Sequence, residues 1–205
     1  DSARKRQLLP HAPSGTEHWS AAATSCTGDG LRVGEATGGH VSSRQASAAA
    51  LAPVSLVPRR DGSVGHYPHL LERAKPGLIA VNRRGARFTN EANSYHDFMS
   101  DLLKDCGGKL PVEAWLICDH RFIRHWGLGA AKPAPLPLGP YLRSGYLKRG
   151  RTLAALAPEC GIEASALMAT VARYNAQAKT GVDDDFGKGK TPYNRVQGDA
   201  AHNGA

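Results

Sequence analysis

Two short patterns in the sequence contain side chains that are able to bind a metal ion. His66 and His69 stand three residues apart, but no third ligand or acidic partner follows at a useful spacing. The acidic run at 183–185 lacks the alternating oxygen ligands and the closing glutamate of an EF-hand calcium loop. The sequence therefore predicts no metal site. We expect the two histidines in a loop and the acidic run in a solvated turn.

The four cysteines are far apart and form no CxxC pair, so the spacing of a metal site is absent. They are Cys26, Cys106, Cys118 and Cys160. No run approaches the roughly 18 apolar residues that a membrane span requires, and the polar start of the chain does not resemble a signal peptide. These features predict a cytoplasmic protein with reduced thiols and without a transmembrane segment.

The chain is basic, with a formal net charge of +8 and an isoelectric point near 9.5. The positive charge is scattered in short clusters, at 4–6, 59–60, 83–84 and 148–149. No aromatic stripe is interleaved with them, and no helix-turn-helix, RNP or zinc-finger spacing is present. We therefore expect solvated basic faces and no nucleic-acid partner.

The composition is that of a folded protein. Of the 205 residues, 41% are hydrophobic, which is enough to bury a core, and only 6% are aromatic. Alanine and glycine are abundant, a mixture more typical of an α/β enzyme than of a β-sandwich.

Residues 1–50 predict a short helix at 2–9, a loop rich in proline and glycine, and a second helix. The second helix begins at the tetrapeptide Thr27-Gly28-Asp29-Gly30 and ends at Gly38. Taken alone, the tetrapeptide predicts only a turn and an N-cap, since an aspartate at a helix start stabilises the free backbone N–H groups by about 1 kcal/mol.

The middle of the chain predicts strands, helices and one long loop. Strands are expected at 53–57 and 77–81, and the second should form a hairpin with 86–89 across a turn at 82–85. A helix should begin at Ser94, and a strand at 114–118 should precede a helix capped by Asp119. The loop at 127–140 is either a binding lid or a surface excursion.

The last third of the chain predicts helices. A short one is expected at 152–157 and a longer one at 163–180. Four apolar residues at helical spacing lie on one face of the longer helix: Leu167, Val171, Tyr174 and Ala178.

Three motifs in order resemble a known family. Residues 77–91 match the hairpin pattern G-x-I-x-V-N-x-x-G-x-R-F-x-N-E of the fumarate reductase and 3-ketosteroid dehydrogenase flavoprotein superfamily. The sequence TGDG stands before it at 27–30, and TVARYN at 170–175 with DFG at 185–187 stands after it. We identify the chain by this resemblance as a FAD-dependent oxidoreductase of that superfamily, dominated by its capping domain.

The resemblance implies an α+β fold in which a capping domain interrupts a Rossmann-like FAD domain. Residues 1–50 would be the tail of the first FAD-domain segment, and 51–195 the capping domain, with a mixed sheet and helices. Residues 196–205 would begin the return into the FAD domain. FAD is the implied cofactor, with Thr27, Gly28 and Asp29 as binding residues.

The glycine-rich fingerprint G-x-G-x-x-G, which sets the FAD pyrophosphate on a helix N-terminus, is absent from this sequence. We therefore expect the chain by itself to be inactive and not to retain flavin. Its partners would be a small-molecule substrate and the remaining segments of the FAD domain.

The resemblance also implies a catalytic residue. In the similar 3-ketosteroid Δ1-dehydrogenases, a tyrosine in a motif like residues 90–97 takes part in proton removal next to the ketone, and Tyr95 stands at this place. The similar fumarate reductases have an arginine shortly after the Asn-Glu pair. Because a phenol cannot replace a guanidinium as the cationic anchor of a dicarboxylate, fumarate is disfavoured as a substrate.

The implied function is hydride transfer between FAD and a C–C bond next to a ketone, on a steroid or similar alicyclic compound. A fumarate or succinate type of reductase and an isolated binding module without redox activity are the alternatives.

A phenol with a pKa near 10 is a poor base, so Tyr95 would need a neighbour that lowers its pKa or a substrate acidified by enolisation. Its neighbour His96 does not face it on a helix, because residues i and i+1 point in different directions. We predict His96, Glu72 and Arg73 as substrate-binding residues, although Glu72 and Arg73 could instead pair locally. Tyr95 could equally be a packing residue at the helix start.

Overall fold

The computed structural model describes residues 19–23, 25–42, 47, 49–107, 109 and 111–201. The chain divides into two compact units, residues 1–50 and residues 51–205. The helix predicted at 2–9 lies outside the described residues.

The described part of the first unit contains a helix, α1 (Asp29–Ala36), where the tetrapeptide predicted one. Its N-cap is Gly28, with a φ of +88°, which glycine adopts without a steric penalty. The tetrapeptide provides the predicted N-cap through Gly28, and Asp29 opens the helix as predicted, although its side chain makes no capping hydrogen bond. No residue of α1 is buried.

The second unit contains two separate antiparallel pairs of strands instead of the expected mixed sheet, so that expectation is wrong for the described residues. One pair places Ser55 opposite Tyr67, and the other places Ile79 opposite Ile117. The strands are β1 (Val54–Pro58) with β2 (Val64–Pro68), and β3 (Leu78–Val81) with β4 (Trp115–Cys118). The coarser prediction of an α+β arrangement, with helices and small sheets, is confirmed.

The predicted hairpin partner of β3 is wrong. Residues 86–89 return beside β3 only through an isolated bridge between Val81 and Arg87, and β3 pairs with β4 instead. Side chains occupy the edge that a returning strand would need. The Glu91 carboxylate accepts the N–H of Ala80 at 3.0 Å, and the Lys188 ammonium donates to the carbonyl of Leu78 at 2.7 Å.

Six helices follow the order of the sequence in the described part of the second unit. They are α2 (Tyr95–Cys106), α3 (His120–Trp126), α4 (Gly139–Arg143), α5 (Leu153–Glu159), α6 (Ala164–Thr180) and α7 (Pro192–Gln197), with a 3-10 turn at Glu72–Ala74. The predicted starts hold, since Ser94 caps α2 and Asp119 caps α3. None of the described helices is long and apolar enough to cross a membrane.

The core forms around β3, whose four residues are all buried. Successive side chains of a strand point to opposite faces, and the packing follows this alternation. Ile79 and Val81 pack with Leu167 and Tyr174 of α6, while Ala80 packs with residues of α2. Helices therefore cover both faces of the β3–β4 pair.

The predicted loop at 127–140 is more ordered than expected. It contains a bridge between Leu128 and Ala131, and its last two residues begin α4. The hydroxyl of Tyr146 accepts the N–H of Ala130 at 3.0 Å and shares a hydrogen bond of 2.7 Å with Ser55. Gly129 is required there, because a Cβ atom on it would stand 2.1 Å from the Tyr146 oxygen.

Candidate functional site

Tyr95 is the first residue of α2, directly after the cap. The Ser94 hydroxyl accepts the N–H of Asp97 at 3.1 Å and donates to the Asp97 carboxylate at 2.8 Å, so the start of the helix is fixed on both sides. Tyr95 is 38% exposed. Among the described residues its hydroxyl has no hydrogen-bond partner, which leaves the oxygen accessible to a ligand.

The side chain of Arg73 holds residues 91–93, the segment that precedes the cap of α2. Its guanidinium, which is almost wholly buried, donates to the carbonyls of Glu91 at 2.8 Å and Asn93 at 3.4 Å. It also donates to the carbonyls of His69 at 3.0 Å and Leu70 at 3.3 Å. Burial lowers the pKa of Arg73, although Glu72, Tyr193 and Glu91 act in the opposite direction. The side chain therefore ties the 3-10 turn to the chain that leads into α2.

Asn194 of α7 holds the same segment from another side. Its amide nitrogen donates to the carbonyl of Ala92 at 3.0 Å and to the side-chain oxygen of Asn93 at 3.1 Å. Its amide oxygen accepts from the Asn90 amide at 3.0 Å. Only 2% of Asn194 is exposed, so its hydrogen bonds replace water for the whole segment.

A buried ionic cluster fixes Glu91. The Arg87 guanidinium donates to both oxygens of Glu91 at 2.8 Å and to both oxygens of Asp183 at 3.0 Å. The Lys188 ammonium lies 3.6 Å from Glu91. The rings of Tyr174 and Phe186 lie near the guanidinium, with their centroids at 4.9 and 5.0 Å from its central carbon. We call Arg87, Glu91, Asp183 and Lys188 the buried ionic cluster.

The pKa values in this cluster follow from burial and pairing. Burial alone would raise the pKa of Glu91, but Lys188 and Arg87 lower it below its ordinary value. Burial likewise opposes ionisation of Asp183, and the hydrogen bonds from Arg87 and from the backbone N–H of Lys188 lower its pKa. Both carboxylates are therefore ionised near neutral pH. The predicted solvated turn at 183–185 is wrong for Asp183, because Arg87 draws this side chain into the interior.

His96 is committed to the chain in front of β1. Its Nδ1 accepts the backbone N–H of Leu51 at 3.2 Å, so the neutral ring carries its proton on Nε2. This contact leaves only Nε2 available to a ligand, and the predicted substrate-binding role of His96 stays a prediction.

Glu72 contacts His69 and not a solvent-filled pocket. The Nδ1 atom of His69 lies 2.5 Å from the Glu72 carboxylate, and both side chains are largely buried. Burial raises the pKa of Glu72, but the hydrogen bond and charge of His69 lower it by more. The expected loop is wrong for His66, which lies in β2. The described residues contain no cluster of three or more metal ligands.

A wide, open groove of about 1460 Å³ lies on one side of the fixed segment. The amides of Asn90, Asn93 and Asn194 line it, together with the chain from Lys179 to Thr191. None of the four residues predicted to act on the substrate lines this groove. Tyr95, His96, Glu72 and Arg73 are instead linked through the contacts of Arg73 with Asn93 and His69.

The start of α1 fits part of a flavin cofactor. The first N–H groups of a helix have no partner within it, and a Cβ atom at Gly28 or Gly30 would meet no atom within 4 Å. The Asp29 carboxylate accepts a hydrogen bond from Thr27 at 2.9 Å and another from Arg32. Both bonds lower its pKa. A carboxylate at this place repels phosphate but accepts hydroxyl donors, so the fit is to the uncharged polar part of FAD.

The sequence motifs do not identify several residues that form this site. Arg87 and Glu91 lay inside the recognised motif, four residues apart, and this spacing of opposite charges was the available signal. Asp183 and Lys188 lay beside the DFG motif, but nothing in the sequence indicates that they are buried. Asn194 had no signal at all.

Comparison with known proteins identifies the family to which the chain belongs. A profile of the FAD binding domain family matches residues 2–202. The 4-oxocyclohex-2-ene-1-carboxylate 5-dehydrogenase of Sinomonas cyclohexanicum is 38% identical over 198 residues, which cover 97% of this chain and 33% of that protein. The 3-oxosteroid 1-dehydrogenase of Mycobacterium tuberculosis strain H37Rv is 33% identical over 196 residues, which cover 93% of this chain and 33% of that protein.

A solved structure agrees with these relatives. The crystal structure of 3-ketosteroid delta1-dehydrogenase from Sterolibacterium denitrificans, in complex with 1,4-androstadiene-3,17-dione, superposes with a TM-score of 0.71 at 28% identity. The match covers 89% of this chain and 32% of that one, so this chain spans about a third of the length of its relatives. The predicted superfamily is confirmed, and the chain belongs to the FAD binding domain family.

Proposed function

We propose that this chain is the capping portion of a FAD-dependent dehydrogenase that acts on a C–C bond next to a ketone. Residues 51–195 would cover the substrate, residues 1–50 would belong to the FAD domain, and 196–205 would begin the return to it. Relatives that match the chain over nearly its whole length carry the names of dehydrogenases of cyclic ketones. The proposal concerns the longer enzyme, because the chain spans about a third of those relatives.

The position of Tyr95 carries the proposal. Its hydroxyl is accessible, while the segment in front of it is fixed by Arg73, Asn194 and Glu91. A general acid or base has to stand within hydrogen-bond reach of the proton it moves, and a rigid support keeps it there.

The chain's own part in the reaction is the proton transfer. When bound, FAD supplies the acceptor for the hydride that leaves one carbon of the substrate. As a phenolate, formed by releasing its own proton to solvent, Tyr95 takes the proton on Oη from the carbon next to the ketone and becomes the neutral phenol again. The carbonyl raises the acidity of that carbon. The exposed start of α2 carries that oxygen. In the first unit, Thr27, Gly28 and Asp29 would bind an uncharged polar part of the cofactor.

Among the substrates, an alicyclic ketone is favoured over fumarate. A dicarboxylate needs a cationic anchor at the reacting carbons, and the buried arginines that precede Tyr95 in sequence, Arg73 and Arg87, use their guanidinium groups within the fold. Both a monocyclic oxo acid and a 3-oxosteroid are named among the substrates of the relatives.

Replacing Tyr95 with Phe in the full-length enzyme tests the proposal. This change keeps the ring and removes the oxygen, so substrate binding and folding should change little. Flavin reduction measured by stopped flow should slow by about a hundredfold or more, as expected on loss of a general acid or base.

The matched control is Tyr193→Phe, which removes a hydroxyl from another exposed tyrosine outside α2. Its rate of flavin reduction should stay within about twofold of the wild-type rate, the range expected of a hydroxyl with no part in chemistry. If Tyr95→Phe also reduces its flavin at nearly the wild-type rate, Tyr95 is a packing residue and the proposed proton transfer is wrong.

A further inference from the structure

The basic residues are scattered along the chain, but the excess of positive over negative charge lies in one segment. Residues 120–158 contain seven lysines and arginines and no aspartate or glutamate, whereas the rest of the chain carries 19 basic and 18 acidic residues. The seven are Arg121, Arg124, Lys132, Arg143, Lys148, Arg149 and Arg151. We call residues 120–158 the cationic segment. It accounts for almost the whole net charge of +8.

The cations of this segment are not neutralised within the fold. Elsewhere several exposed arginines pair with carboxylates, as in the pairs Arg83–Glu113 and Arg84–Asp105. No carboxylate in the described part of the chain lies within ion-pair distance of any of the seven. All but Arg124 are exposed, and Arg124 donates to the carbonyl of Leu136 at 2.6 Å.

Tight turns fold the chain back on itself at two places within the cationic segment. The N–H of Ala134 donates to the carbonyl of Arg124 at 2.8 Å, which folds the chain that carries Lys132 back towards α3. The N–H of Leu147 donates to the carbonyl of Tyr141 at 3.0 Å, which closes the turn between Arg143 and Lys148.

This region is joined to the candidate site through the β1–β2 pair. Tyr146, inside the cationic segment, bonds to Ser55 of β1, and the Lys132 ammonium lies 5.9 Å from the centroid of the Tyr67 ring in β2. The chain after β2 carries His69, whose carbonyl Arg73 binds together with that of Asn93 in front of Tyr95. The cationic segment therefore contacts the β1–β2 pair, and the chain that follows this pair contacts Arg73, which holds the segment before Tyr95.

Unneutralised charge of one sign raises the local concentration of ligands of the opposite sign. Such a surface speeds association by about 10-fold to 1000-fold, and the effect falls steeply with ionic strength. We propose that the substrate is an anion, an alicyclic ketone bearing a carboxylate, and that the cationic segment attracts it to the site. This inference rests on the proposed dehydrogenase function and narrows its substrate class.

The test compares an acid with its neutral ester in the full-length enzyme. Stopped flow would follow flavin reduction by 4-oxocyclohexanecarboxylate and by its methyl ester, without an electron acceptor. Raising NaCl from about 0.01 M to about 1 M shortens the screening length from about 30 Å to about 3 Å. We expect the second-order rate constant for the acid to fall about tenfold or more, and that for the ester to stay nearly constant.

Charge reversal locates the effect. The double variant Lys148→Glu, Arg149→Glu should lower the rate constant for the acid at low salt by about tenfold and leave the ester unaffected. The matched control is Lys104→Glu, Lys109→Glu, which makes the same change of net charge at exposed positions outside the segment. Equal losses in both double variants would contradict the proposal, as would equal salt dependence for acid and ester.

Equilibrium binding separates this inference from the proposed function. Calorimetry with the unreactive cyclohexanecarboxylate should show binding that weakens with salt and with the Lys148, Arg149 reversal. If that holds while neither ketone reduces the flavin, the anion-attracting surface stands and the dehydrogenase function is wrong. If both ketones reduce the flavin equally well at all salt concentrations, the function stands and the surface does not. One further result would contradict the proposed attraction of the substrate. This is a salt dependence found only in the reoxidation of the flavin by an acidic protein acceptor.

Discussion

At the scale of single residues, the site depends on buried side chains that form hydrogen bonds to backbone groups. These side chains do not face a ligand. Arg73 uses its N–H donors on four carbonyls, which matches the fixed fork of a guanidinium. Asn194 does the same with an amide that can both donate and accept. Their combined effect is to leave Tyr95 with one orientation of its backbone and a free hydroxyl.

Asn194→Ala should destabilise the second unit. The change leaves the Ala92 carbonyl and the Asn90 amide without their partner in a buried place, which costs about 1–3 kcal/mol in the free energy of unfolding. Urea unfolding followed by circular dichroism measures it. Asn175→Ala, at an exposed position of α6, is the matched control and should be neutral or slightly stabilising. Equal stability of the two variants would mean that Asn194 does not support the segment.

The sequence predicts the start of α2 but not what supports it. A serine before helical periodicity indicates a cap, and the structure confirms Ser94 in that place. Asn194 lies about a hundred residues further along the chain, on a six-residue helix, and its burial depends on tertiary packing that no local pattern encodes. Whether Tyr95 is catalytic stays a prediction.

At the scale of elements, β3 is unusual because side chains complete one of its edges. The apolar run at 78–81 predicts a buried strand correctly, but it does not indicate which neighbour the strand will choose. The chain at 86–89 lies close enough for one bridge, and the buried ionic cluster then takes the remaining edge groups.

This cluster should make the fold sensitive to acid. The pKa of Asp183 is lower in the folded state than in the unfolded state, so its contribution to stability is complete above the ordinary aspartate value of about 4 and is lost as the pH falls through the folded value. Asp183→Asn should lower the free energy of unfolding at neutral pH by about 2 kcal/mol and flatten its dependence on pH below about 5.

The neighbour Asp184 provides the control for that experiment. It is exposed, so Asp184→Asn should keep both the stability and the acid response of the wild type. Urea unfolding at a series of pH values compares the two variants. An unchanged acid response in Asp183→Asn would place the acid-sensitive group elsewhere.

Other elements were missed for local reasons. Strand β2 carries glycine and proline, which are depleted in strands, and it forms because a short turn lays it beside β1. Helix α4 begins with Gly139 and Pro140 in a stretch that resembles a loop, yet a proline fits the first turn of a helix, where its missing N–H is not needed. Both depend on neighbours and not on the pattern of their own residues.

At the scale of the whole molecule, the motifs were sufficient to identify the superfamily, and the matched relatives confirm it. The uneven charge was visible in the sequence, but its lack of carboxylate partners needed the structure. The assignment of 1–50, 51–195 and 196–205 to parts of a flavoprotein remains a proposal.

Purified as it stands, this 205-residue chain should be colourless. The start of α1 fits only an uncharged part of FAD, and the chain contains no glycine-rich fingerprint for the pyrophosphate. The absorbance spectrum after incubation with FAD and desalting measures retention. A flavin band that survives desalting in proportion to the protein would show that the chain contains a sufficient FAD site, contrary to this expectation.

The buried ionic cluster also sets an order for the folding of the nascent chain. Arg87 and Glu91 leave the ribosome about a hundred residues before Asp183 and Lys188, and Asn194 comes later still. Until then the Leu78 carbonyl at the edge of β3 lacks the Lys188 ammonium, and Arg87 pairs with Glu91 alone. Contacts so distant in sequence form slowly, because a long loop has to close first. The strand at the centre of the second unit is therefore completed only after residues 183–194 have been synthesised.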